Sequence, residues 1–108
     1  MKQNNVKPAE GKLGILVVGN GAVATTFMTG VLMTRKGLTK PIGSMTQYDK
    51  IRVGKGADKK YLPYKDIVPL TDLKDIVFGC WDVYPQNAYQ SAMYCEVLKE
   101  KDINPVKD

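Results

Sequence analysis

The chain has 108 residues, which is enough for one domain at most. It is 44% hydrophobic and 25% charged, like an ordinary globular protein, and no apolar run approaches the roughly 18 residues that cross a bilayer. The formal net charge is +5, and the absence of histidine excludes Ser-His and Cys-His nucleophile pairs and most zinc sites.

The beginning of the chain predicts a flexible segment followed by the domain. Residues 1–11 are mostly polar and contain no apolar stretch of the kind found in secretory signals. We therefore expect a flexible lead-in over residues 1–11, a domain over residues 12–108 and a cytoplasmic location. In that compartment Cys80 and Cys95 are expected to be reduced, buried thiols, and they do not form a metal-binding spacing.

An apolar run followed by a glycine-rich turn organises the rest of the chain. Residues 13–18 are apolar and β-branched and stop at a glycine, which predicts a buried strand. Residues 19–24, Gly-Asn-Gly-Ala-Val-Ala, have the G-x-G-x-x-A form of the dinucleotide fingerprint. Gly19 permits the tight turn, Gly21 lets a pyrophosphate approach the backbone, and Ala24 lets the next helix lie close to the strand.

A helix is predicted from Ala22 to Lys36. Its first free N–H groups and the positive end of its dipole would face the phosphates of a bound dinucleotide. Five residues recur at spacings of three and four and predict one face directed at a sheet: Val23, Phe27, Gly30, Val31 and Thr34.

Residues 38–70 are broken up by glycine and proline and predict a long irregular insertion. Insertions of this length are more often functional than filler. Within it, residues 50–60 are rich in lysine and arginine. This basic stretch is consistent either with a solvated loop or with contact to a phosphate or an acidic partner.

A second buried strand is predicted over residues 76–81, with Trp81 in the core and Asp82 at the carboxyl end. In a nucleotide-binding βαβ unit, an acid at this place accepts hydrogen bonds from the adenosine ribose, and its charge repels the extra phosphate of NADP. The interval from the fingerprint is roughly three times the usual one of about 20 residues. Asp82 could instead cap a helix predicted from Pro85 to about Lys101.

Three segments together resemble the N-terminal part of the inositol-3-phosphate synthase family. They are the fingerprint, then Gly43-Ser44-Met45-Thr46-Gln47, then Asp75-Ile76-Val77-Phe78-Gly79-Cys80-Trp81-Asp82-Val83. The G-S-x-T-Q and G-x-W-D-[IV] segments are much more specific than the fingerprint. The resemblance covers roughly residues 12–98, which correspond to about a quarter of a typical family member.

The resemblance implies an NAD-dependent enzyme that converts D-glucose 6-phosphate to 1D-myo-inositol 3-phosphate through an internal redox cycle and an aldol cyclisation. It implies cofactor contacts but no catalytic residue or metal ligand in this chain. The implied contacts with the pyrophosphate region are Gly19, Asn20, Gly21, Ala22 and Val23. Asp82 and Val83 are implied to contact the adenosine ribose.

The expected fold class is α/β, a Rossmann-like NAD-binding fold in which only the first βαβα portion of the parallel sheet and its flanking helices is present. Two parallel strands leave edges and a face uncovered, so we expect this chain to be a fragment of a longer enzyme. The resemblance further implies a sugar phosphate substrate and a homo-oligomer, a tetramer as in other family members, with no nucleic acid or membrane partner.

Two other functions are compatible with parts of the sequence. One is the Rossmann domain of a different NAD-dependent dehydrogenase or sugar-nucleotide enzyme, which would share the fingerprint. The other is a small basic nucleic-acid-binding module that uses residues 50–60 together with nearby tyrosines as stacking residues. No aromatic pattern of an RNA-binding sheet supports the second of these.

Overall fold

A computed structural model of the protein describes residues 7–8 and 10–108. Most of the expected flexible lead-in, residues 1–6 and 9, lies outside the described residues. The described residues form, in order, β1 (Leu13–Val18), α1 (Ala22–Arg35), α2 (Met45–Tyr48), β2 (Lys50–Val53), β3 (Lys60–Pro63), α3 (Tyr64–Ile67), β4 (Ile76–Trp81), α4 (Ala88–Cys95) and α5 (Glu100–Ile103). Short 3₁₀ turns lie at Gly56–Asp58, Leu73–Asp75 and Asn104–Val106.

Strands β1 and β4 form a parallel two-stranded sheet, and both predicted strands are confirmed with the predicted bounds. The register pairs Leu13 with Ile76 at one end and Val18 with Trp81 at the other. Parallel strands must be joined by a crossover, and α1 lies within the segment that connects them. The two strands and α1 therefore form a βαβ unit, as in α/β domains.

Helix α1 carries the core on a different face from the one predicted. Val31 is buried as expected, but Val23 is 85% exposed and Phe27 is 45% exposed. The buried stripe consists of Ala24, Thr25, Met28, Thr29 and Val31. The reason is that α1 packs against α4 as well as contacting β4 through Phe27, so its buried face is turned towards α4.

Aromatic and arginine contacts attach α1 to β4. The rings of Phe27 and Phe78 meet edge to face, with 5.5 Å between centroids and 87° between planes. At the other end of α1, Arg35 Nε donates to the carbonyl of Leu73 at 2.6 Å, and its guanidinium also donates to the carbonyl of Ile76. These contacts fix the direction of α1 relative to the strand.

Helices cover one face of the β1–β4 sheet, and the prediction that both strands are buried is wrong. The open face consists of the alternate strand residues Leu16, Val18, Val77 and Trp81, which are 74%, 75%, 47% and 57% exposed. Trp81 is therefore not a core residue. Cys80 is exposed and Cys95 half-buried, so the expectation of two buried thiols is also wrong. The physical reason is that no layer packs on the second face among the described residues.

The insertion is more ordered than expected, because it contains an antiparallel hairpin formed by β2 and β3. The register runs from Lys50 opposite Pro63 to Val53 opposite Lys60. The short helices α2 and α3 pack beside this hairpin. Gly54 has φ +89°, and a Cβ there would lie 2.5 Å from the carbonyl oxygen of Asp58, so the connection requires glycine.

The C-terminal helix is shorter than the predicted span from Pro85 to Lys101. Asn87 caps α4 in a reciprocal capping box with Gln90, so the helix begins at Ala88 rather than at the proline. Glu96 takes a left-handed conformation, φ 55°, which ends α4 after Cys95. The chain resumes a helical path only at α5.

The hairpin and the sheet together give the molecule an elongated shape. The radius of gyration is 17.3 Å and the principal extents are 55, 29 and 21 Å. A compact chain of this length would have a radius of gyration of about 13 Å. In the part of the chain that the structure describes, no helix is both long and apolar enough to cross a membrane.

Candidate functional site

The candidate site lies where β1 and β4 end side by side. Because the strands are parallel and in register, the turn after Val18 and the segment after Trp81 leave the sheet at the same edge. Gly19 extends the ladder by donating its N–H to the carbonyl of Trp81 at 2.9 Å. Its φ of +94° turns the chain out of the strand, a conformation that favours glycine.

The N-terminus of α1 opens at this turn. Gly21 is the N-cap residue, with φ −94° and ψ −158°, and no side chain caps the helix. The first turn also contains no acidic residue, so no side chain of α1 neutralises the partial positive charge at this end. Four backbone N–H groups at this end have no acceptor among the described residues, those of Gly21, Ala22, Val23 and Ala24.

Asn20, at the centre of the turn, is held from two sides. Its N–H donates to Oδ2 of Asp82 at 2.7 Å, and its carbonyl accepts the hydroxyl hydrogen of Ser91. Asn20 is only 3% exposed. Its side-chain oxygen Oδ1 is buried and has no hydrogen-bond partner among the described residues. The turn is therefore fixed by β4 and α4 and keeps one unused buried acceptor.

The carboxylate of Asp82 lies at the mouth of the turn. Besides the contact with Asn20, its Oδ1 accepts the N–H of Tyr84 at 3.2 Å. The N–H groups of Asn20 first, and then of Tyr84, stabilise the charged form and hold the pKa of this carboxyl below its ordinary value. Asp82 is solvent-exposed and ionised at neutral pH. A carboxylate has about four lone-pair positions, so it can still accept hydrogen bonds from a ligand.

The structure brings six of the seven sequence-predicted site residues to one place. They are Gly19, Asn20, Gly21, Ala22 and Val23 in the turn and Asp82 beside it. The seventh, Val83, follows Asp82 directly and is 91% exposed. Asp82 does not cap α4, because Asn87 occupies that position.

Sequence reasoning missed Ser91, Tyr84 and Gln86 near this site. A small cavity is lined by these three residues together with Asn20 and Asp82. Tyr84 contributes its backbone N–H, which no residue type signals. Ser91 lies 71 positions from Asn20, and only the pairing of β1 with β4 brings the two together.

The residues at this edge fit a dinucleotide. Unused N–H groups at an uncapped helix N-terminus are a ready site for a diphosphate, and at Gly21 no side chain blocks the approach. The carboxylate of Asp82 and the unpaired Oδ1 of Asn20 are acceptors suited to sugar hydroxyls or amino groups. No group of three or more His, Cys, Asp or Glu residues in the described part of the chain is placed to hold a metal ion.

Residues 13–108 match the NAD-binding family model described as myo-inositol-1-phosphate synthase. Inositol-3-phosphate synthase 1 of Bacteroides thetaiotaomicron is 62% identical over all of this chain, and Inositol-3-phosphate synthase 1 of Oryza sativa subsp. japonica is 37% identical over 81% of it. The crystal structure of inositol-3-phosphate synthase from Caenorhabditis elegans superposes with a TM-score of 0.77 over 94% of the chain at 24% identity, and shares the fold. The chain spans 24%, 19% and 22% of the lengths of these three proteins.

Proposed function

This chain belongs to the myo-inositol-1-phosphate synthase family, and from that membership we propose that it is the N-terminal NAD-binding part of an inositol-3-phosphate synthase. The complete enzyme converts D-glucose 6-phosphate to 1D-myo-inositol 3-phosphate in this proposal. Bound NAD would supply the reversible hydride acceptor for the redox cycle that accompanies aldol closure of the ring, and the Gly19–Val23 turn with Asp82 would hold it. The residues of this chain hold the cofactor, and the groups that act on the sugar lie in parts of the enzyme that this chain does not span.

The pyrophosphate is held by backbone in this proposal. The N–H groups of Gly21, Ala22 and Val23 donate to phosphate oxygens, and the α1 dipole adds a favourable field. Gly19 supplies the turn that directs these groups outwards. The absence of a side-chain cap and of any acid in the first turn of α1 supports this assignment, since no side chain of the helix itself competes with the phosphate.

The adenosine ribose is held by Asp82, with Val83 beside it. The observation that carries this assignment is the 2.7 Å hydrogen bond between Asp82 Oδ2 and Asn20 N–H, which brings the carboxylate to the mouth of the turn across 62 residues. The free lone pairs of the carboxylate accept the ribose hydroxyls. Its negative charge disfavours a 2′-phosphate and therefore selects NAD over NADP. Asn20 belongs to the pyrophosphate-binding turn in this proposal, and because Asp82 accepts its N–H, Asn20 contributes by shaping that turn.

We also propose that the enzyme is a cytoplasmic homo-oligomer. Large apolar side chains exposed on β1 and α1, among them Leu16, Val18 and Val23, support burial against further protein surface. The free thiols of Cys80 and Cys95 are consistent with a reducing compartment.

Substitution of Gly21 by aspartate in the complete protein tests the cofactor site. The position has negative φ and open space for a Cβ, and aspartate is a favoured N-cap residue, so we expect thermal stability to be unchanged or slightly raised. NAD binding, measured by calorimetry, should nevertheless be lost, because the new carboxylate lies where the pyrophosphate binds.

The matched control is Gly21→Asn, which has nearly the same size and capping ability but no charge. We expect it to weaken NAD binding less than Gly21→Asp does. The difference in NAD affinity between the two variants measures the repulsion between the new carboxylate and the pyrophosphate. Unchanged NAD affinity in a folded Gly21→Asp protein would refute the proposed site.

A further inference from the structure

We propose that Ser91 is a positioning residue for the cofactor, which fixes the Gly19–Gly21 turn in the conformation that binds NAD. This inference rests on the proposed NAD site and deepens it. Ser91 is on α4, outside the fingerprint, and is 7% exposed. Its hydroxyl donates to the carbonyl of Asn20, the middle residue of the turn.

The start of α4 determines where this hydroxyl lies. Asn87 Oδ1 accepts the N–H of Gln90 at 2.8 Å, and Gln90 Oε1 accepts the N–H of Asn87 at 3.0 Å. Ser91 then donates its own N–H to the carbonyl of Asn87 at 3.0 Å, in the first full turn. The capping box therefore sets the register of the helix and presents the Ser91 hydroxyl to the turn.

The turn needs such an external restraint. Asn20 lies between two glycines, and glycine has more backbone freedom than any other residue. Asp82 restrains the N–H of Asn20 and Ser91 restrains its carbonyl, so both peptide groups of this residue are fixed. Holding a binding loop in its bound conformation before the ligand arrives increases affinity, because less ordering remains to be done on binding.

Loss of the hydroxyl therefore affects binding rather than chemistry. In Ser91→Ala the carbonyl of Asn20 is left buried without this donor, which favours other conformations of the turn. In the complete protein we expect the dissociation constant and the KM for NAD to rise about tenfold. The kcat at saturating NAD should stay close to that of the unaltered protein.

Thr29→Val is the matched control. Thr29 is 6% exposed, and its hydroxyl donates to the carbonyl of Thr25 at 2.7 Å, within α1 and away from the turn. This variant also loses one buried hydroxyl with a backbone acceptor, so it should lower thermal stability to a similar extent without changing the affinity for NAD. An equal NAD affinity in Ser91→Ala and Thr29→Val would overturn the positioning role.

A second pair keeps the test decisive if Ser91→Ala does not fold. Ser91→Thr retains the hydroxyl and Ser91→Val replaces it by a methyl group of similar shape. We expect Ser91→Thr to bind NAD at least several-fold more tightly than Ser91→Val, and equal affinities would overturn the inference. The Gly21→Asp protein distinguishes a wrong role for Ser91 from a wrong cofactor site. If Gly21→Asp still binds NAD, the proposed cofactor site itself is wrong.

Discussion

Asp82 connects the strand, the turn and the proposed ribose site through one carboxylate. Its contact with Asn20 is 2.7 Å long and its contact with Tyr84 is 3.2 Å long. Both partners are backbone N–H groups, so the acid is held without any basic side chain. A carboxylate held in this way keeps its full negative charge towards the ligand, which is what discrimination against NADP requires.

Replacement of Asp82 by alanine should weaken NAD binding and reduce selectivity. We expect the dissociation constant for NAD to rise at least about tenfold, since charge-assisted hydrogen bonds to the ribose are lost. The affinity for NADP should fall less, so the dissociation constants for NAD and NADP become more similar. Both are measurable by calorimetry on the complete protein. Asp66→Ala, which removes an exposed acid of α3, is the control and should leave both constants unchanged.

The lowered pKa of Asp82 predicts how its contribution to stability varies with pH. The folded-state pKa is below the ordinary value of 3.8, so the stabilisation is fully present above that value and is lost as pH falls through the folded-state pKa. The difference in free energy of unfolding between the unaltered protein and Asp82→Asn should be constant from about pH 5 to pH 8, because this range lies above the pKa of Asp82 in both the folded and the unfolded chain. A difference that already declines through pH 6 would contradict this assignment.

The sequence indicated Asp82 as a candidate site residue but none of its hydrogen-bond partners. Asp82 could be identified because an acid at the end of a strand after a glycine fingerprint has a known role. Ser91 could not, because a serine inside a helix has many ordinary explanations and its acceptor lies 71 residues away. Contacts of this kind depend on the register of β1 with β4, which residue types do not specify.

Among the elements, the predicted strands match the structure and the predicted C-terminal helix does not. Both strands are short, apolar runs bounded by glycine, polar residues or a turn, and such runs specify their own ends. The apolar spacing from Ala88 onward continues past Cys95, so periodicity alone predicts a helix that is longer than the observed one. The left-handed Glu96 is not visible in such a pattern, because glycine is the usual residue at that position.

Glu96→Gly should therefore stabilise the protein. A non-glycine residue in the left-handed region costs about 1 kcal/mol, and glycine removes most of this cost while adding some freedom to the unfolded chain. We expect a higher midpoint in thermal unfolding than for Glu96→Ala, which removes the same carboxylate but keeps the Cβ. Equal midpoints for the two variants would show that the conformation at residue 96 is not strained.

The hairpin was missed because its strands are short and its surroundings are rich in glycine. The alternation of Lys50, Ile51, Arg52 and Val53 has the period of a strand, but four residues are too few to outweigh the breakers nearby. Residues 50–60 hold five cations and one acid, a net charge of +4 against +5 for the whole chain. All eleven are exposed, so the hairpin concentrates the basic character of the chain in one solvent-exposed arm.

Gly54→Ala should open the hairpin without disturbing the cofactor site. The added Cβ would collide with the backbone of Asp58, and the position has positive φ. We expect faster tryptic cleavage within residues 50–60 and an unchanged NAD affinity. Gly43→Ala is the control, because a Cβ at Gly43 meets nothing within 4 Å. Weaker NAD binding in Gly54→Ala would show that the hairpin supports the site.

At the scale of the whole molecule, the chain has one helix-covered sheet face and one open face. The parallel sheet has two strands, whereas sheets of this class are normally covered on both faces. Among the described residues no large side chain is completely buried, so the core is thin. The fold class followed from the alternation of strand and helix, but which sheet face stays uncovered depends on how all the helices pack together.

Leu16→Lys tests whether further protein covers the open face in the complete enzyme. We expect a loss of stability of about 2–5 kcal/mol, because a charge would replace a buried leucine, and a large drop in the unfolding midpoint. An unchanged unfolding midpoint in Leu16→Lys would show that residue 16 remains as exposed in the complete enzyme as in this chain, where Leu16 is 74% exposed. Leu38→Lys, at a position 53% exposed in the loop after α1, is the control and should change the midpoint little.

The hydrogen bond between residues 20 and 82 has a consequence for biosynthesis. It closes a loop of 62 residues, so the mouth of α1 cannot be completed by the glycine-rich peptide alone. During translation the first strand and helix leave the ribosome well before the acid that completes the turn. We therefore expect nucleotide recognition to come late in folding, and a nascent chain stalled ahead of β4 to fail to retain NAD.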